Sequence, residues 1–371
     1  MKAIGLILAG GNNEGRLGAL TDLRAAAALP VGSCYRAIDF TLSSMSSSGI
    51  SKVAVLTQYN SRSLQDHLTS SKWWDFGRKQ GGLFVFTPFI SRDSSNWFRG
   101  TADSIYQNMS YLRRSNEPYV VIGSGDTIYK MDFKKVIEYH VQKGADITIV
   151  CKNMKGHDMS KFGVMEMDED NRLLEFEEKP LQTNSAMASL GIYVISRTLL
   201  INLLEEIIPE GRYDLVKDII IRFRKTLKFY GYEFDGYWST IGGGVCDYFN
   251  TNMDFLQRDV REVFTKQYPY IETKPKDEPP AKYNMGAQVS DTIVGSGSIL
   301  NGTIEHSVLF RKVYTGENST IRNSIVMEGS YIGNNCVVEN AILDKDVVLS
   351  DGKQVIGKQG EPVILRKGTV I

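Results

Sequence analysis

Up to about residue 260, short apolar runs alternate with amphipathic stretches. Apolar runs at residues 4–9, 53–57, 119–123 and 147–151 predict strands. Helix-like segments lie between them, as at residues 101–114 and 133–143. Strands alternating with helices predict an α/β fold, with a mostly parallel mixed sheet covered on both faces. Ligands of such sheets collect at the carboxyl ends of strands. Two glycine-containing turns, at residues 10–15 and 123–126, fall where such a site is expected.

Residues 267–283 break this pattern. Four of the ten prolines fall there, with mixed charge and little periodicity, which predicts an extended linker. Beyond it the texture changes again. Ser307-Val308-Leu309, Ser324-Ile325-Val326 and Ala341-Ile342-Leu343 recur at a spacing of 17 residues. The segments starting at Gly316 and Gly333 repeat with the same offset, and Asp291-Thr292-Ile293-Val294-Gly295 resembles an earlier, shorter turn. A fixed short period with small residues at corners and β-branched residues between them predicts a parallel β-helix. A set of antiparallel hairpins is the alternative, although hairpins need no constant register. The expected division is an α/β domain over residues 1–262, a linker over 263–284 and the β-helix over 285–371.

Composition narrows the function. The chain has 371 residues, 42% of them hydrophobic, and its 43 basic side chains balance its 43 acidic ones. That excludes a disordered chain and argues against a nucleic-acid partner. No stretch is apolar enough to span a bilayer, and the first apolar run is too short for a signal peptide. Cys34, Cys151, Cys246 and Cys336 are scattered, so buried free thiols in a reducing cytoplasm are expected. The four histidines (67, 140, 157 and 306) show neither metal spacing nor a paired nucleophile, and are expected to be structural or surface groups.

The candidate chemistry starts at Leu8-Ala9-Gly10-Gly11-Asn12-Asn13-Glu14-Gly15-Arg16-Leu17. A strand ends in glycines and a basic residue follows. Glycines admit a phosphate close to the backbone, and Arg16 neutralises charge; a plain tight turn is the alternative. Arg36 and Asp39 stand three apart beside a long helix, and residues 96–103 form a polar, glycine-containing turn at a helix start. Gly123-Ser124-Gly125-Asp126 ends an apolar strand in a carboxylate suited to a divalent cation or, alternatively, to a turn cap. Glu177-Glu178-Lys179-Pro180 places a lysine where a sugar phosphate fits, or simply in a solvated loop. There is no G-x-S-x-G elbow and no Walker A sequence.

Together these segments resemble the bacterial glucose-1-phosphate adenylyltransferase (ADP-glucose pyrophosphorylase) family over almost the whole chain. The residues that carry this include Leu8-Ala9-Gly10-Gly11, Arg16-Leu17, Arg24-Ala25, residues 35–40, Thr57-Gln58-Tyr59, residues 97–103, residues 125–132, Phe162-Gly163-Val164, residues 176–180 and Gly191-Ile192-Tyr193. The resemblance implies a Rossmann-like nucleotidyltransferase domain followed by a left-handed β-helix. It implies that ATP and glucose 1-phosphate give ADP-glucose and pyrophosphate for glycogen synthesis. It assigns nucleotide binding to Gly10, Gly11, Gly15, Gln58, Gly100 and Thr101, and sugar-phosphate binding to Gly163, Glu178, Lys179 and Ser189. Asp126 would hold Mg2+, if nucleotide binds.

The departures from the family pattern fall on the phosphate side. The first loop is one residue longer, and Glu14 adds negative charge to it. The expected phosphate-contacting lysine is Ala26, leaving Arg16 as the residual catalytic cation. The second metal carboxylate is Thr240, and the stretch at Tyr213-Asp214-Leu215-Val216 is also altered. This pattern resembles a regulatory (GlgD-type) subunit of low or absent activity, paired with a catalytic (GlgC-type) chain in a tetramer and responsive to a metabolite effector. A fully active enzyme and a sugar-phosphate-sensing scaffold are the competing expectations.

Overall fold

A computed structural model describes residues 2–11, 14–77, 81–89 and 97–371, without the side chain of Glu14. Among these residues a nine-stranded mixed sheet forms the first part of the chain. Its strands are β1 (Ala3–Leu8), β2 (Lys52–Leu56), β3 (Gly82–Phe86), β4 (Tyr119–Ser124), β5 (Ile147–Asn153), β6 (Gly163–Met167), β7 (Leu173–Glu178), β8 (Met187–Ser196) and β9 (Phe229–Glu233). The order is β7-β6-β8-β4-β1-β2-β3, with β5 beside β8 and β9 beside β5. The strands β4, β1, β2 and β3 run parallel, whereas β8 is antiparallel to β4, β5 and β6.

The apolar runs are continuous because both faces are covered. In β1, Ala3 and Ile7 join one core cluster while Ile4 and Leu6 join the other. Successive side chains point to opposite faces, so both sets are buried. The helix expected over residues 101–114 is divided into Thr101–Gln107 and Met109–Arg113. Asn108 sits between them with φ −107°, and its Nδ2 donates to the Ser104 carbonyl at 2.9 Å. An asparagine amide that competes for backbone partners explains the break. The helix expected near residues 133–143 is Phe133–Gln142.

Residues between the helix Arg258–Thr265 and the strand Lys282–Tyr283 form no regular element, but they are pinned. Trp74 Nε1 donates to the Glu272 carbonyl at 2.9 Å, and Thr273 Oγ1 donates to Asp39 at 2.6 Å.

The C-terminal part is a left-handed parallel β-helix with three faces. Ile304 pairs with Ile321, Ile321 with Val338 and Val338 with Val355, each one coil of 17 residues apart. The earlier turn is shorter, since Val294 pairs with Leu309. Ile304, Ile321, Ile332, Val338 and Leu343 fill the interior. Corners use left-handed residues such as Asn323 (φ 41°) and Asn340 (φ 49°), whose side chains bond each other at 2.6 Å. Asparagine visits this region at lower cost than most residues.

A third apolar cluster crosses between the two parts. Leu17, Leu29, Phe40 and Phe255 pack in it with Val308, Phe310 and Ile325 of the β-helix. Within this contact, Arg24 donates to both carboxylate oxygens of Asp344 at 2.5 and 2.6 Å. Both side chains are buried, at 5% and 1% exposure.

Candidate functional site

The carboxyl ends of β1, β2 and β4 open into a cleft of about 610 Å3. Its wall includes Gly10, Gly11, Arg16, Gln58, Gly100, Thr101, Asp126, Gly163, Glu178, Lys179, Ser189 and Thr240. Of the residues expected to bind nucleotide, sugar phosphate or metal, Gly15 lies outside this lining. The chain turns into the short helix Glu14–Leu17 there, and the α-carbon of Gly15 faces open space. Asn12, Asn13, the side chain of Glu14 and Asn96 lie outside the described residues. The charge expected of Glu14 in this loop therefore has no described position.

Strand register builds one end of the cleft. Gly163 pairs with Glu178 on one side and with Ser189 on the other, so three predicted residues meet across β7, β6 and β8. A Cβ at Gly163 would sit 2.5 Å from the Phe176 ring, which fixes glycine there. Gly191 (φ 69°) forms the bulge that follows Ser189 in β8. Lys179 follows Glu178 with φ 52°, its backbone N–H donating to the Phe162 carbonyl at 2.9 Å. Its ammonium lies 3.3 Å from Glu178. A non-glycine residue in the left-handed region stores backbone strain, a feature that clusters at ligand sites.

Gln58 joins the first loop to the segment before Gly100. Its Nε2 donates to the Gly10 carbonyl at 3.1 Å, and its Oε1 accepts from the Phe98 N–H at 2.9 Å. Thr101 Oγ1 accepts from the Leu215 N–H at 2.8 Å. Gly100 packs so tightly that a Cβ would lie 2.3 Å from the Tyr213 carbonyl oxygen. Arg99 stacks on the Tyr213 ring, 3.8 Å from its centroid, and pairs with the buried Asp103 at 2.9 Å.

The remaining end holds Asp126 and Thr240. The strands Thr127–Tyr129 and Trp238–Thr240 pair antiparallel, and the Ile241 N–H donates to the Asp126 carbonyl at 3.0 Å. Ser124 Oγ donates to the Asp126 carboxylate, and Thr240 Oγ1 accepts from the Gly242 N–H at 3.2 Å. Among the described residues no group of three or more His, Cys, Asp or Glu side chains is arranged for a metal ion. One carboxylate, already bonded through one oxygen, and a neutral hydroxyl are a weaker donor set for Mg2+ than a pair of carboxylates. Ala26 forms part of the floor, in the short helix Ala26–Ala28, at 6% exposure.

Sequence reasoning missed Lys161. It lines the cleft, and its ammonium bonds both oxygens of Asp247 at 3.1 Å. Its place just before Phe162-Gly163 was the available signal. Arg36 and Asp39, expected near the site, are not in this lining. The Arg36 guanidinium donates to the Ser63 carbonyl at 2.8 Å, and the fully buried Asp39 bonds His67 at 2.6 Å. Both serve the start of the helix Ala37–Ser47 and its packing.

The histidines take structural or surface positions. His140 is buried and bonded to Thr148 Oγ1 at 2.9 Å, and burial lowers its pKa to about 4. His157 is exposed, and His306 pairs with Asp291 at 2.5 Å at a β-helix corner. Cys151 and Cys336 are buried as expected, whereas Cys34 is partly exposed and Cys246 exposed; burial raises the Cys34 thiol to about 11 and the Cys151 thiol to about 12, which makes these two poor nucleophiles.

The fold agrees with what comparison finds. The nucleotidyl transferase family pattern matches residues 4–258, and a GlmU-like, C-terminal hexapeptide pattern matches residues 279–362. The glucose-1-phosphate adenylyltransferase of Bacillus cereus is 38% identical over 354 residues, covering 95% of this chain and 94% of that protein. The chain belongs to the glucose-1-phosphate adenylyltransferase family. The adenylyltransferase of Geobacillus stearothermophilus is 37% identical over 322 residues, covering 86% of this chain and 82% of its own length. That of Bacillus subtilis is 38% identical over the same length. Among the described residues of this adenylyltransferase-family chain, no helix is long and apolar enough to cross a membrane.

Proposed function

We propose that the chain is a regulatory, catalytically weak subunit of a glucose-1-phosphate adenylyltransferase. It would modulate a catalytic (GlgC-type) partner in cytoplasmic glycogen synthesis, within a tetramer that answers to a metabolite effector. The observation that carries this reading is the apolar floor of the cleft at Ala26. Phosphoryl transfer depends on preorganised cations aimed at the charge that develops on the phosphate. A methyl group offers none, and the family pattern calls for a lysine at that position. Thr240 removes a second charge by placing a hydroxyl where the pattern calls for a carboxylate. Of the residues expected to face the sugar, Gly163, Glu178 and Ser189 meet in one register and Lys179 follows Glu178, so a cleft survives without its full charge.

The test is co-expression with a catalytic chain, comparing turnover of ATP and glucose 1-phosphate and effector response with each chain alone. The isolated chain is expected to fall well below the ordinary range of roughly 1–10³ per second. Turnover within that range refutes the reading. Installing Ala26→Lys with Thr240→Asp is expected to raise the isolated chain's rate by about 10²–10³. Failure of any adenylyltransferase chain to co-purify would favour a sugar-phosphate-sensing scaffold instead.

A further inference from the structure

The end of the cleft around Asp126 combines a weak metal donor set with an unexpected cation. Thr240 leads directly into Gly242, Gly243 and Gly244, and the helix Val245–Asp254 starts there. Asp247, in the first turn of that helix, holds the Lys161 ammonium through both carboxylate oxygens. The close approach is built in, because a Cβ at Gly243 would lie 2.1 Å from Asp247 Oδ2. Gly244 brings the first loop to the same place, its Cβ position being 3.6 Å from the Arg16 carbonyl oxygen. Arg16, Lys161, Asp126 and Thr240 all line one cavity.

Lys161 is 43% exposed, so the ammonium keeps access to the cleft while Asp247 holds it in place. Among the described residues, Arg16 has no ion pair and Lys161 pairs with a carboxylate that is itself 25% exposed, whereas Arg99 pairs with the fully buried Asp103 and is stacked on Tyr213. Arg16 and Lys161 are thus the two basic side chains at this end within reach of a ligand.

We infer that this cleft binds a phosphate ester without a divalent cation, with the Lys161 ammonium and the Arg16 guanidinium supplying the positive charge that a metal ion would bring. The ligand class is a sugar phosphate or a nucleotide-sugar pyrophosphate. This rests on the reading of the cleft as a phosphate-ester site. An ammonium needs no carboxylate cage and donates directly to phosphate oxygens. It also explains how the site tolerates Thr240 in place of a second carboxylate. Asp126, without a metal to screen it, faces the same cavity and repels the ligand.

The test is calorimetric titration of ADP-glucose into the full chain, in EDTA and in excess Mg2+. The dissociation constant is expected to change less than about twofold between the two. In EDTA, Lys161→Ala is expected to weaken binding roughly tenfold to a hundredfold, the worth of a charge-assisted hydrogen bond. Lys161→Arg keeps the charge and is expected to retain most of the affinity. Asp126→Asn is expected to tighten binding in EDTA, whereas neutralising a metal ligand weakens it. Binding that appears only with Mg2+, a Lys161→Ala variant that binds as the parent does, or weaker binding by Asp126→Asn overturns the inference. Absence of ADP-glucose binding in both conditions also overturns it, and leaves the subunit role to be decided by co-expression. A chain that binds without metal yet never alters a partner's turnover loses the subunit role and keeps this inference.

Discussion

Arg24→Met offers the most direct probe of how the two parts of the chain are joined. Arg24 and Asp344 are buried at 5% and 1% exposure, and both carboxylate oxygens are bonded. Removing the guanidinium strands the carboxylate, which among the described residues keeps the Lys345 N–H at 2.7 Å. Breaking a buried pair from one side costs about 3–5 kcal/mol, because a charge is left uncompensated. Asp344→Leu is expected to cost a similar amount from the other side. Combining the two replaces the pair with apolar groups beside Met327, and most of the loss should return. Unfolding entropy of about 2 cal/mol/K per residue converts each single loss to a fall in Tm of roughly 4–6 °C if the chain melts as one unit. A separate β-helix transition would move further, since fewer residues share the entropy. Scanning calorimetry of the four proteins reads the cycle directly. Single variants within about 1 kcal/mol of the parent, or a double variant as unstable as the sum of the singles, would refute the argument.

Further expectations concern other parts of the fold. His140, whose burial lowers its pKa from 6.5 to about 4, binds protons more readily when unfolded. Stability should therefore fall as pH drops from about 6.5 to 4, by up to about 3 kcal/mol, and His140→Gln should flatten that slope in urea titrations across pH. Gly163→Ala drives a methyl into the Phe176 ring, 2.5 Å away; a loss of about 1–3 kcal/mol, with weaker sugar-phosphate binding, is expected by thermal shift and titration. Asn323→Ala removes a 2.6 Å bond to Asn340 and strains a residue at φ 41°, for an expected cost of about 2 kcal/mol. Asn323→Gly should recover the strain part alone, and equal stability of the two variants would show that the corner is not strained.

Much of the fold was legible because its physics is periodic. Burial on both faces makes β1, β2 and β4 continuous apolar runs, and stacking coils impose the 17-residue spacing. The strands also located the cleft, since most of the predicted residues cluster where their carboxyl ends lie. What stayed hidden depends on partners distant in sequence. Lys161 and Asp247 are 86 positions apart, and nothing local marks either as half of a pair. Arg36 and Asp39 looked like site residues because charge beside a helix is the same in sequence whether it faces a ligand or a helix start. Asn108 divided an otherwise regular helix through one side-chain hydrogen bond.

The stretch at residues 24–28 carries two roles within a very short length. Arg24 is fastened to the β-helix, and Ala26, two residues on, floors the cleft. Two residues span no more than about 7 Å of chain. No glycine interrupts them, and the alanines at 26, 27 and 28 are all packed. Mechanically this is a strut with no hinge in it. A shift of the coil that carries Asp344 has no slack to absorb it before it reaches the cleft floor. The floor of the cleft is thus joined to the seating of the β-helix through two residues of chain.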